Sequence, residues 1–205
     1  MYIPTAHRIN DLNLIRDLIR RYPFAILITV VDGIPVATHL PILLEQDEPI
    51  SLAGHLARQN QHWKALEGSE SLIIFSGPHG YVSPTFYESN PNVPTWNYIS
   101  IHVYGKVVLI ENDDEVLAHL ESMVTTLDPD LASVDPASTD SEHYRRMMPG
   151  IVAFRMFPAK IEGKAKLNKN KSEQDRLAVR ARYLESDSED ERAMGRLMPE
   201  VRHEN

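Results

Sequence analysis

The chain has no cysteine among its 205 residues. That excludes disulfides, a thiolate nucleophile, a Cys-based zinc site and an iron–sulfur cluster. Long apolar runs are missing too: none approaches the ~18 residues a membrane helix needs. The opening Met1-Tyr2-Ile3-Pro4-Thr5-Ala6-His7-Arg8 has no apolar core of the kind a secretion signal carries. A cytoplasmic protein without membrane contact is expected. Basic charge is scarce, with 21 Lys and Arg against 29 Asp and Glu and a net charge of −8. This argues against a non-specific nucleic-acid binder, because neutralising phosphates requires a basic field. The scarcity is uneven. No Lys or Arg lies between Glu111 and Glu142, whereas 155–182 is strongly basic. Such blocks are either solvated faces or, for the basic one, a surface that meets a small anion or another subunit. His55 and His62 have no partner at metal-ligand spacing, so no metal is expected.

Patterning predicts short strands with helices at the ends and between them. Asn10 is placed as the cap of a helix to Arg21, stopped by Pro23. Phe24–Val31 is continuously apolar, and Asp32-Gly33 turns it into a hairpin with Ile34–Leu40. Strands follow at Ile50–Gly54, Ser71–Gly77 and Tyr98–Ile110, with a short helix capped by Asn60. Asn112 opens a helix with Leu117, Leu120, Val124 and Leu127 inward. The stretch 128–141 is expected as loop, 142–148 as a short helix, and Ile151–Phe157 with Ala159–Lys166 as a strand pair. Two terminal helices, Glu173–Glu185 and Glu189–Val201, complete the chain. No strand–helix–strand rhythm appears, so a closed antiparallel barrel with peripheral helices (mainly β, α+β) is expected, spanning 1–172 with a helical extension at 173–205.

Four polar-aromatic patches stand at strand ends, where a rigid sheet hands over to loops that can hold a ligand. In Gly54–Asn60, Arg58 can grip a phosphate bidentately, with His55 adding a donor; the plainer view is a surface Arg beside a helix capped by Asn60. Thr38-His39-Leu40-Pro41 ends a hairpin strand whose backbone groups are free for a ligand's polar rim, or simply an edge strand ending in a turn. Gly77–Pro84 brackets His79, more readily a structural histidine than an acid–base group. Thr95-Trp96-Asn97-Tyr98 offers apolar faces and an amide that donates and accepts, unless Trp96 is a core residue. Lys166–Ser172 is an anion clasp or a solvated linker. Together these groups suit a phosphorylated flat heterocycle. No residue is placed as a catalytic acid or base. Asp187, Glu189, Asp190 and Glu191 crowd the turn of the terminal helices, which opposes a DNA-reading helix-turn-helix there.

These segments, Gly54–Trp63, Phe75–Tyr87, Val93–Gly105, Gly150–Phe154 and Lys160–Arg176, resemble in order the PaiB family of FMN-binding negative transcriptional regulators, as does the Met1-Tyr2-Ile3-Pro4 start. The resemblance implies an FMN-binding split β-barrel and a homodimer with flavin at or near the subunit interface. DNA contact is implied by the resemblance alone. It assigns Arg58 and His55 to the phosphate, Thr38, His39, Leu40 and Pro41 to the ring border, and Trp96-Asn97-Tyr98 to the Pro-Thr-Trp-Asn-Tyr element. Lys166 and Asn170 fall on the late clasp. Phe86, Gly80, Lys169 and Lys171 depart from the family's usual Trp, Ala, Gln and Arg. The alternative activity is an FMN-dependent oxidoreductase of the flavin reductase kind, since the broader split-barrel group includes such enzymes.

Overall fold

A computed structural model describes residues 1–198. After a short strand β1 (Arg8–Ile9), helix α1 (Leu12–Arg21) begins. Its cap is Asp11 rather than the expected Asn10, with Oδ1 accepting from the amides of Asn13 and Leu14. Strands β2 (Phe24–Val31) and β3 (Ile34–Asp47) form the expected hairpin, with Asp32 and Gly33 both at positive φ, as its tight turn requires. β4 (Ile50–Ala57), β5 (Glu70–Val82) and β6 (Thr95–Leu109) follow, then α2 (Asp113–Leu127), capped by Asn112.

The acidic stretch after α2 is not all loop: it holds the single-turn helix α3 (Leu131–Val134) and a 3-10 turn before α4 (Ser141–Met147). The expected strand pair beyond it is one strand, β7 (Ile151–Lys166). Pro158 does not break it, because the strand changes partners along its length: residues 151–156 pair with β4, and 163–164 pair with β1. Helices α5 (Glu173–Leu184) and α6 (Glu189–Leu197) end the described chain; the expected extension to Val201 lies partly outside the described residues.

The sheet order is β1-β7-β4-β3-β2-β5-β6, and β6 also pairs with β7, so six strands return on themselves. The pairings of β2 with β3 and β5, and of β4 with β3 and β7, are all antiparallel. Two compact units partition the residues. One comprises Arg16–Phe75 and His102–Ile161; the other comprises Met1–Ile15, Ser76–Ile101 and the segment from Glu162 onward, which takes in α5 and α6. In the first, Leu27, Ile42, Leu52, Ile73, Phe154 and Met156 are fully buried, and a Cβ on Gly54 would meet the Phe154 ring at 3.0 Å. In the second, Val179, Tyr183 and Met194 are fully buried, and the Tyr183 hydroxyl donates to the Gly80 carbonyl at 2.9 Å. No helix among the described residues is long and apolar enough to cross a membrane.

Candidate functional site

In the unit of 16–75 and 102–161, Thr38–Pro41 does not end its strand as expected, because β3 runs on to Asp47 through its pairing with β4; the first half of β3 meets the turn after β4. Asn60 caps the 3-10 turn Gln61–Ala65 by accepting from the His62 amide at 3.1 Å. The same side chain donates from Nδ2 to the Thr38 hydroxyl at 3.1 Å, and Thr38 Oγ1 lies 2.9 Å from His62 Nδ1. One hydroxyl thus fixes both an amide and an imidazole. His62 is buried, and its Nε2 has no partner among the described residues. Burial holds its pKa below the usual histidine value, which favours the neutral ring. Thr38 and Asn60 were legible as candidates; His62, which completes the group, was not selected. Its signal was the short spacing from a capping Asn to a His on the same turn.

His39 points to the opposite face of β3 from Thr38, as strand alternation demands, and its ring lies 6.3 Å from that of Phe24. Leu40 is buried in the core, and Pro41 is half-buried opposite Phe24.

Arg58 is engaged elsewhere. Its Nε donates to the Pro149 carbonyl at 2.8 Å and its Nη2 to the Ile151 carbonyl at 2.7 Å, while its amide donates to the Gly150 carbonyl. The Trp63 indole donates back to the Arg58 carbonyl at 2.9 Å. Arg58 and Trp63 line a cavity of about 490 Å³ with Arg145, Glu111 and Asp113. The fork expected to clasp a phosphate already ties the β4 exit to the start of β7.

His55 is likewise committed. Its Nδ1 lies 3.1 Å from Nε2 of His119 on α2, with the rings edge to face. Burial lowers both pKa values, that of His119 to about 4. Arg155 closes the neighbourhood through Glu45 and, at 3.3 Å, Glu115. A histidine whose folded pKa lies below its unfolded value stabilises the fold above the unfolded pKa, and this stability is lost as pH falls toward the folded one. Acidification from pH 6.5 to 5 is therefore expected to remove about 2 kcal/mol of stability through this pair. Urea titrations at the two pH values measure it, and His119→Gln should flatten the difference.

In the unit of 1–15, 76–101 and 162 onward, Thr95 accepts from the Lys166 ammonium. Trp96 is 54% exposed, its ring 5.9 Å from that of His79 and 5.8 Å from that of Tyr81. It is no core residue. Asn97 is fully buried, and neither polar atom of its amide has a hydrogen-bond partner among the described residues. The Tyr98 ring lies 4.9 Å from the Lys164 ammonium. Asn170 is exposed at the turn before α5, where Lys171 donates to Asn92 at 2.5 Å and Ser172 caps the helix.

Residues 1–160 match the family described as "Putative FMN-binding domain". The chain is also 32% identical over 205 residues to protease synthase and sporulation protein PAI 2 of Bacillus subtilis, covering 97% of this chain and 96% of that one. The chain belongs to this FMN-binding family. FMN is the cofactor the family assigns to it.

Solved structures similar to it include an FAD and heme binding protein from Mycobacterium smegmatis (TM-score 0.65, 18% identity, 84% of this chain and 79% of that one). Another is the flavocytochrome Anf3 from Azotobacter vinelandii (TM-score 0.62, 17% identity, 83% and 74%). At such identities the likeness shows the fold, a split barrel.

FMN-family chemistry fits the residues present. A flavin ring asks its site for fixed donors and acceptors and for an apolar face. His62 Nε2 and the Asn97 amide are buried polar atoms with no hydrogen-bond partner among the described residues, and such atoms are uncommon unless a ligand or water meets them. Trp96 and Tyr81 offer exposed aromatic faces.

Proposed function

We propose that this chain is a cytoplasmic, homodimeric FMN-binding regulator of gene expression, as the resemblance of its motifs to the PaiB family of negative transcriptional regulators suggests. FMN contacts are assigned to two residue sets, each argued on its own. In the first, Thr38 and Asn60 orient His62, with His39, Leu40 and Pro41 following Thr38 along β3. In the second are Thr95, Trp96, Asn97, Tyr98, Lys166 and Asn170. Arg58 and His55 are assigned to holding the barrel together, because their side chains are spent on protein partners. The observation that carries the assignment is His62: a buried imidazole oriented through Nδ1, with Nε2 unanswered. Bound FMN supplies a planar ring that can take up electrons. The protein's part is to orient that ring with the Thr38–His62 pair.

The dimer is supported by β2, whose two faces are both apolar. Ala25 and Leu27 are buried, while Phe24, Ile26, Ile28 and Val30 point to the other side, with Phe24 and Val30 strongly exposed. Ile74 and Leu72 of β5 stand opposite Ile26 and Ile28 and extend the patch. A strand apolar on both faces reads as buried on both, and a second copy supplies the missing cover. The native chain should therefore run near twice its 23.3 kDa in light scattering, and Ile28→Glu should run as a monomer. A monomeric wild type would end this assignment.

Purified protein should be yellow or quench added FMN fluorescence. Retarded promoter DNA without NAD(P)H-driven bleaching under anaerobic conditions supports the regulator. Bleaching assigns the chain to flavin reductase-like oxidoreductases instead.

A further inference from the structure

The β1–β7 pair gathers basic groups that form no ion pair with a carboxylate among the described residues, Glu162 being paired with Met1. The register of the two strands sets Arg8 directly opposite Lys164, and like charges at opposed positions repel. Lys164 and Lys166 alternate onto the same face of β7. Lys164 is only 7% exposed; its ammonium donates to the Tyr2 carbonyl at 3.1 Å and lies between the rings of Tyr2 and Tyr98. Lys166 donates to the Thr95 hydroxyl. His7, next to Arg8, is buried, and its Nδ1 has no partner among the described residues. Its pKa is lowered by burial and then by the charges of Lys164, Lys166 and Lys169.

Glu162 shares this strand face, but its carboxylate accepts from the Met1 ammonium at 2.5 Å. Tyr2, Tyr98 and Thr95 bring no charge. Arg8, Lys164, Lys166 and Lys169 form no ion pair with a carboxylate among the described residues. This happens in a chain whose carboxylates outnumber its Lys and Arg by 29 to 21. A cationic field of this kind raises the local concentration of anions.

We propose that His7, Arg8, Lys164, Lys166 and Lys169 form a binding site for a phosphate dianion. The ammonium groups serve as point charges and the histidine as a directional partner. Two sources carry that chemistry: the phosphate of FMN, in which case this inference rests on the FMN-binding function proposed above, or a free phosphate or phosphomonoester. Arg58, the other cation expected to take the flavin phosphate, has its fork on carbonyl groups.

The test uses the full chain, FMN and riboflavin followed by flavin fluorescence, and inorganic phosphate followed by calorimetry. The double variant Lys166→Gln/Lys169→Gln leaves buried Lys164 in place, and Lys166→Arg/Lys169→Arg keeps the charge. If the site holds the flavin phosphate, wild type prefers FMN to riboflavin at least tenfold. The glutamine variant then loses that preference with riboflavin affinity unchanged, and the arginine variant keeps it. If it holds a separate phosphate, the glutamine variant binds inorganic phosphate at least tenfold more weakly, and wild type shows no preference for FMN over riboflavin. Lysine-dependent phosphate binding by a protein that takes up no flavin supports this site and rejects the FMN-binding function. Glutamine-variant affinities for FMN and for phosphate both within twofold of wild type overturn the proposal, as does a wild type that binds neither.

Discussion

Thr38→Val is expected to weaken FMN binding ten- to a hundredfold, read as a shift in the fluorescence-quenching midpoint. The substitution keeps the shape of the side chain and removes one hydroxyl. That hydroxyl accepts from Asn60 Nδ2 and lies 2.9 Å from His62 Nδ1, so its loss releases both groups from their fixed orientation. A hydrogen bond in a polar site is worth about 0.5–1.5 kcal/mol, and a buried group left unmet costs a further 1–3 kcal/mol. At about 1.4 kcal/mol per tenfold change in affinity, the stated range corresponds to about 1.4–2.8 kcal/mol of that cost falling on binding. Some of the cost also falls on stability, so circular dichroism at the titration temperature should confirm that the variant is folded. A folded variant with a Kd within twofold of wild type would remove the Thr38 group from the flavin site.

Gly105→Ala should destabilise the protein by about 3–5 kcal/mol, the range in which single substitutions become exceptional. A Cβ at this position would stand 2.3 Å from the Phe157 carbonyl oxygen and 3.1 Å from its carbonyl carbon. Those are backbone atoms of β7, at the seam where β6 and β7 close the strand order on itself. A flexible side chain could swing aside, but a strand backbone can yield only by parting the seam. Overpacking of this kind ordinarily costs 1–3 kcal/mol, and a backbone obstacle places it at the upper end or beyond. Urea unfolding measures the loss. Gly150→Ala, where a Cβ meets nothing within 4 Å, is the control and should stay near wild type.

The barrel was legible because its local signals agree. The Asp32-Gly33 turn, the Asn60 and Asn112 caps and the alternation along β6 all fall where periodicity and turn chemistry place them. Strand ends were less legible. β3, β4 and β5 each run several residues past the pattern, because pairing with neighbouring strands extends a ladder beyond its apolar core. Pro158 suggested a break in what is one strand, since sequence does not reveal a change of partner from β4 to β1.

Among site residues, Arg58 illustrates the limit of composition. A guanidinium suits phosphate and carbonyl oxygen alike, and only the position of residues 149–151 decides between them. His119, 64 residues from His55, and His7, far from Lys164, became visible only when strands and helices brought them together.

The most direct test of an FMN-binding function is a titration of FMN into the purified full-length chain, followed by flavin fluorescence and the visible spectrum. Saturable quenching at one FMN per chain, with a shifted flavin absorption band, is the expected result. A colourless protein that leaves both signals unchanged at high micromolar concentration would contradict it.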